Sequence, residues 1–114
     1  MRLEFEDLLF DYKVDVFLAG HYHAFHRTCD GLYRSQCNNG GPIHITVGTA
    51  GAKLDEEPLY DNQWTANNIQ HVYGYGRVTV MNASALLFEF VQAGGVNDTD
   101  AGAVRDQLWV TRHR

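Results

Sequence analysis

The stretch "VDVFLAGHYHAFHRTC", residues 14–29, decides how the rest of the chain is read. It runs from an apolar, β-branched segment through Gly20 into His21, Tyr22, His23 and His26, three of the chain's six histidines. The apolar part, VDVFLA, reads as a short strand buried on both faces except at Asp15, the pattern of a sheet with helices over it. Gly20 ends it and lets the backbone turn sharply. His21 and His23 are one residue apart, so in an extended segment both rings project to the same side. Neutral imidazole is a common ligand for zinc and iron, and in α/β layers ligands collect at the carboxyl ends of strands. Two histidines do not complete such a centre, because catalytic zinc takes about three protein ligands and a two-metal site takes more. Asp30, Asp55, Glu56 and Glu57 are the further carboxylate candidates. Spacing alone leaves two readings open: a pair of metal ligands, or two histidines that simply pack at the surface or in the core.

Outward from that stretch, Phe5, Leu8, Leu9 and Tyr12 fall at helical spacing among Glu4, Glu6, Asp7 and Asp11, which predicts an amphipathic helix over residues 2–13. Its early acids and Lys13 at its end suit the helix dipole. Residues 27–42 are rich in turn formers and read as a long loop. "IHITVGTAG" follows as a second buried strand, with His44 on it as a core or sheet-face histidine. Residues 52–71 read as polar and irregular, anchored by Trp64. "YGYGRVTVMNASALLFEFVQ" predicts a β-hairpin, RVTVM and ALLFEFV joined over Asn82 and Ala83. His71, Tyr73 and Tyr75 flank its glycines, and Gly74 and Gly76 suggest a bulge or a close backbone approach. "AGGVNDTDAGA" reads as a loop and "DQLWVTR" as a last strand. One helix cannot cover both faces of two buried strands, so this inventory leaves apolar surface in need of a partner.

With 114 residues, 45% hydrophobic and 20% charged, the chain suits a single globular unit at most. Its net charge of −5, with both signs interspersed, argues against a nucleic-acid partner. No apolar run reaches the roughly 18 residues that cross a bilayer, so no membrane partner is expected. "MRLEFEDLLFDYK" has no apolar core of the kind a secretory signal carries. Two features nonetheless point to the secretory route. Asn82-Ala83-Ser84 and Asn97-Asp98-Thr99 are N-glycosylation acceptors by pattern. Cys29 and Cys37 are the only cysteines, seven residues between them; they read either as a disulfide closing a short loop or as two reduced thiols. They are not a zinc pair, since they lack chelating spacing and a second pair.

Taken together, the blocks resemble the C-terminal portion of purple acid phosphatases, a branch of the calcineurin-like metallophosphoesterases. Gly20-His21-Tyr22-His23 is similar to the family's G-H-x-H segment, and "GGPIHITVGTAG" to the strand and glycine loop after it. "YGYGRVTVMNASALLFEFV" resembles its G-Y-G-R hairpin and "DQLWVTR" its closing strand, in the same order from about residue 3 to residue 112. The resemblance implies an α/β fold, the C-terminal part of a four-layer αββα sandwich, with residues 1–114 as one portion of a single domain whose N-terminal half is absent. It implies two metal ions, Fe(III) with Zn(II), Mn(II) or Fe(II), with His21 on the divalent ion and His23 on the ferric ion. It implies hydrolysis of phosphate monoesters by a metal-bound hydroxide, and a secreted, extracellular or lysosomal/vacuolar protein. The family's further metal-binding segments, G-D-x-x-Y and G-N-H-[ED] among them, do not occur here. The site in this chain is therefore expected to be incomplete, no catalytic residue is assigned within it, and the chain alone is expected to be inactive. Tyr22, His26 and Arg27 are candidates to line the substrate pocket or brace the metal loop, Arg27 through a salt bridge. Two alternatives stand beside the phosphatase: a non-catalytic fragment or glycoprotein domain keeping this half of the fold, and a phosphodiesterase or nucleotidase of the same superfamily.

Overall fold

A computed structural model describes residues 2–54, 63–93 and 101–112. Along them run α1 (Arg2–Asp11), β1 (Val16–Ala19), β2 (Phe25–Thr28), β3 (Ile43–Val47), β4 (Thr65–Ile69), β5 (Gly74–Asn82), β6 (Ala85–Gln92) and β7 (Val104–Thr111). The helix ends earlier than its apolar spacing predicts. Lys13 takes a positive φ of 58°, its N–H donates to the Phe10 carbonyl, and the Val14 N–H donates to the Leu9 carbonyl. That pair of bonds is a Schellman cap, with a lysine where glycine is usual. Lys13 thus stops α1 by its backbone, and the last turn holds no basic residue.

The strands form two sheets. The first has the order β1-β3-β2-β4, with β1 parallel to β3 (Val16 opposite Ile43) and β2 antiparallel to both β3 and β4. The second is the antiparallel meander β5-β6-β7. Strand alternation sorts the side chains between them. Phe25, Ile43 and Ile45 of the first sheet meet Phe88, Phe90 and Val110 of the second in one buried cluster. The Phe25 ring stacks on Phe90 at 4.4 Å and on Phe88 at 6.3 Å between centroids. Each such side chain contributes about 1.5–3 kcal/mol of burial. Gly76 is needed at this seam, because a Cβ there would stand 2.9 Å from the Phe88 ring; the close approach expected of the glycines is what the structure contains.

The opposite face of the first sheet carries Phe17, His26, His44 and Thr46, which with Phe5, Glu6 and Leu9 of α1 enclose a cavity of about 230 Å³. Helix, mixed sheet and meander are the layers among the described residues. Within them no helix is long and apolar enough to cross a membrane.

Several expected boundaries move. Phe25–Thr28 is a strand, not the start of a loop, and Thr65–Ile69 is a strand inside the segment read as irregular. The hairpin turn falls on Ala83 and Ser84, one residue later than expected, and β7 begins at Val104. β1 is not buried on both faces: it is an edge strand of its sheet, and Leu18 is 51% exposed. Val78 and Val80 of edge strand β5 are exposed as well. A groove of about 410 Å³, lined by Leu18, Gly20, Val47, Gly76, Val78 and Phe88, opens between the two edges.

Candidate metal centre

β1 delivers the chain to Gly20 at its carboxyl end, and β2 takes it back at Phe25; the histidines occupy the reversal between. Two successive i→i+2 hydrogen bonds shape it. The Tyr22 N–H donates to the Gly20 carbonyl at 2.9 Å, and the Ala24 N–H donates to the Tyr22 carbonyl at 2.9 Å. His21 is the central residue of the first and His23 of the second. His21 has φ 74°, which makes its bend the rare, strained kind of γ-turn. A non-glycine residue held in such backbone is a mark of functional loops, where the surrounding structure over-determines the conformation. The effect is to set each imidazole at the apex of its own bend. His21 and Tyr22 are exposed and His23 is partly buried.

The His23 ring is oriented by a partner that sequence reading did not find. Its Nδ1 lies 2.6 Å from the Lys53 carbonyl oxygen. A carbonyl only accepts, so Nδ1 is the donor in this bond. Metal-binding histidines commonly donate one ring nitrogen to a backbone carbonyl in this way. No local signal marks Lys53, which lies 30 residues away in the chain.

Gly48 forms the floor. Its N–H donates to the Ala24 carbonyl at 3.2 Å, and a Cβ at this position would overlap the Tyr22 carbonyl group. Only glycine lets the end of β3 lie this close under the histidine loop. Next to it, buried Thr49 donates its hydroxyl to the Gly74 carbonyl at 3.0 Å, and the Gly74 N–H donates to the Thr49 carbonyl. The "VGTAG" turn thus joins the histidine loop above to the start of β5 below.

The other site candidates lie elsewhere. His26 and Arg27 are neighbours on β2 and point to opposite faces. The His26 ring shares a hydrogen bond with Thr65 Oγ1 at 3.1 Å and meets Trp64 edge-on, beside the cavity under α1. Arg27 faces the second sheet, where Nε and Nη2 donate to the two carboxylate oxygens of Asp106 at 2.6 and 3.1 Å. Asp106 is 7% exposed and Arg27 20%, so this fork bolts the two sheets together rather than bracing a loop. His44 stands on the helix-side face, 5.6 Å from the Phe17 ring. His71 has φ 64° in the turn before β5, and Tyr73 and Tyr75 are exposed. Cys29 and Cys37 form a disulfide with Cα atoms 5.8 Å apart. Asp30 belongs to the loop that it closes. Among the described residues no three His, Cys, Asp or Glu side chains group so as to hold a metal. Asp55, Glu56, Glu57 and Asn97 lie outside the described residues.

Comparison with known proteins agrees with this architecture. Residues 41–107 match the family model "Iron/zinc purple acid phosphatase-like protein C", a range that begins beyond His21 and His23 and runs from before β3 into β7. The chain is 32% identical over 111 residues to "Probable inactive purple acid phosphatase 27" of Arabidopsis thaliana, covering 89% of this chain and 17% of the relative. It is 30% identical over 119 residues to "Acid phosphatase type 7" of Homo sapiens, covering 94% and 26%. It is also 34% identical over 92 residues to a "Nucleotide pyrophosphatase/phosphodiesterase" of Hordeum vulgare, covering 72% and 24%. The chain thus spans about a quarter or less of the length of these relatives. With more than half of its residues matched by the family model, from the floor of the histidine loop to the closing strand, the chain belongs to the purple acid phosphatase family and corresponds to its C-terminal region.

Proposed function

We propose that this chain is the C-terminal part of a binuclear-metal acid phosphatase and supplies one ligand to each metal, His21 to the divalent ion and His23 to the ferric ion. The carrying observation is the His23 ring, whose Nδ1 donates to the Lys53 carbonyl, the bond that a metal-binding histidine commonly makes with its non-ligating nitrogen. The strained turn at His21 supports the same reading. A metal pair supplies charge neutralisation on phosphate oxygens and a more acidic water. This chain's share is to offer two imidazoles from one loop, the His23 ring oriented by the Lys53 carbonyl, with Gly48 and Thr49 keeping that loop seated. The remaining ligands, and the other half of a four-layer αββα sandwich, belong to sequence outside these 114 residues; the groove between β1 and β5 and the exposed Leu18, Val78 and Val80 are where that half packs. The substrate class is a phosphate monoester, and the metals are Fe(III) with Zn(II), Mn(II) or Fe(II). The disulfide supports a secreted, extracellular or lysosomal/vacuolar location.

Two relatives' names keep other chemistries in view. One is called inactive and another a phosphodiesterase. The decisive experiment joins this chain to the upstream region of the human relative in place of that protein's own C-terminal region. The phosphatase reading expects monoester hydrolysis that is lost in both His21→Ala and His23→Ala, each with one metal missing. A chimera that folds and binds both metals without turnover favours the non-catalytic reading, and preference for diesters favours the phosphodiesterase.

A further inference from the structure

We infer that the cavity between α1 and the first sheet is a binding site for a compact aromatic cation, one ring bearing a single amidinium, guanidinium or ammonium group. Its floor is a row of side chains from three strands. Alternation turns Phe17, His26, His44 and Thr46 toward the helix, and the strand register sets Phe17 opposite His44 and His26 opposite Thr46. The Phe17 and His44 rings lie 5.6 Å apart. Trp64 closes the end of the row, edge-on to His26 at 5.8 Å, and its carbonyl accepts the Cys29 N–H at 2.8 Å. Both aromatic walls are thus held in place by the sheet.

The roof is α1, which offers Phe5, Glu6 and Leu9. The helix is pinned from its other side by the loop that the Cys29–Cys37 disulfide closes. The Phe10 ring stacks on Tyr33 at 4.0 Å between centroids, and the Tyr33 hydroxyl donates to the Asp7 carboxylate. With the backbone bonds at Lys13 and Val14 fixing its end, α1 bridges the floor without filling it and leaves about 230 Å³. An apolar cavity of about 150 Å³ takes a benzene ring. This one therefore holds one ring with a short polar arm, and is too small for a nucleotide.

The sign of the ligand's charge follows from the lining. Glu6 is the one carboxylate on the cavity wall, and no lysine or arginine among the described residues lines it. A carboxylate has about four acceptor sites, so Glu6 takes a ligand's N–H alongside its other contacts. The faces of Phe17 and Trp64 attract a cation, and the same wall disfavours an anion. Neither His21 nor His23 lines the cavity, so the site does not depend on the metal assignment.

The test uses this chain joined to the upstream region of the human relative, with 13C-labelled histidine, and titrates benzamidine, benzyl alcohol and benzoate, which share a ring and differ in charge. Benzamidine should shift His26 and His44 saturably and together, with benzoate at least tenfold weaker. Glu6→Gln, nearly equal in volume, should weaken benzamidine about tenfold, the worth of one charge-assisted hydrogen bond, and leave benzyl alcohol unchanged. Leu9→Trp should fill the space and abolish the shifts. Absence of a saturable shift at His26 and His44 overturns the inference, as does benzoate binding as tightly as benzamidine. Benzamidine affinity unchanged in Glu6→Gln also overturns it, so the result stands even where Leu9→Trp fails to fold.

Discussion

His21→Gly should make the protein more stable while removing one of the two proposed metal ligands. His21 holds a φ of 74° within a hydrogen-bonded γ-turn, and a residue with a Cβ in such backbone stores about 1–3 kcal/mol. Its side chain is exposed, so little packing is lost with the ring. Glycine removes the strain but brings a larger entropy loss on folding, about 0.5–1 kcal/mol. The net gain is about 1 kcal/mol, a rise in Tm of roughly 4–6 °C for a chain of this size. His21→Ala is the control. It removes the same imidazole but keeps the Cβ and hence the strain, and should stay within about 0.5 kcal/mol of the parent, as exposed substitutions do. Thermal and urea unfolding of the three proteins read the difference, and metal titration should show the same loss in both variants. A glycine variant no more stable than the alanine variant would refute the view that backbone strain is stored at His21 to aim its ring.

Further outcomes follow from other contacts. Gly48→Ala forces a Cβ into the Tyr22 carbonyl and should cost about 3 kcal/mol, with loss of the His23–Lys53 bond in the NMR spectrum; a change under 0.5 kcal/mol would show that the loop does not rest on β3. Asp106→Asn strips the partner charge from Arg27 between the sheets and should lower unfolding free energy by about 2–4 kcal/mol in urea, whereas an effect near zero would mean that the fork is solvated. The Tyr33 phenol, held above its ordinary pKa chiefly by its hydrogen bond to Asp7, should return toward it in Asp7→Asn, as read from ring-carbon shifts. The raised value means that this contact supports the fold below the phenol's ordinary pKa of about 10 and is lost as pH rises through the folded-state value.

What the sequence revealed and what it hid differ for physical reasons. β6 was legible because one face of it is buried, so Leu86, Phe88 and Phe90 alternate with residues of the other face such as Glu89. β4, "TANNI", was not: it is an edge strand of the first sheet, bound to β2 by backbone hydrogen bonds that any residue can supply. β2 was hidden because its two faces meet different neighbours. Phe25 and Arg27 turn to the second sheet while His26 and Thr28 turn to the helix, so four residues show no apolar period. The early stop of α1 rests on a lysine in left-handed backbone, a conformation with no residue signature. At the site, the histidine pair and its glycine were visible as a local pattern. The group that orients it was not, because Lys53 reaches His23 across 30 residues.

The most direct test of the central claim is a zinc titration of this chain joined to the upstream region of the human relative, followed by imidazole 15N NMR of this chain's histidines. His21 and His23 should shift together as metal is added, with His23 coordinating through Nε2 while Nδ1 keeps its proton and its bond to Lys53; His26, His44 and His71 should not move. Zinc that shifts His26 or His44 instead, or that displaces the Nδ1 proton of His23, would contradict the assignment of this loop as one half of a binuclear centre.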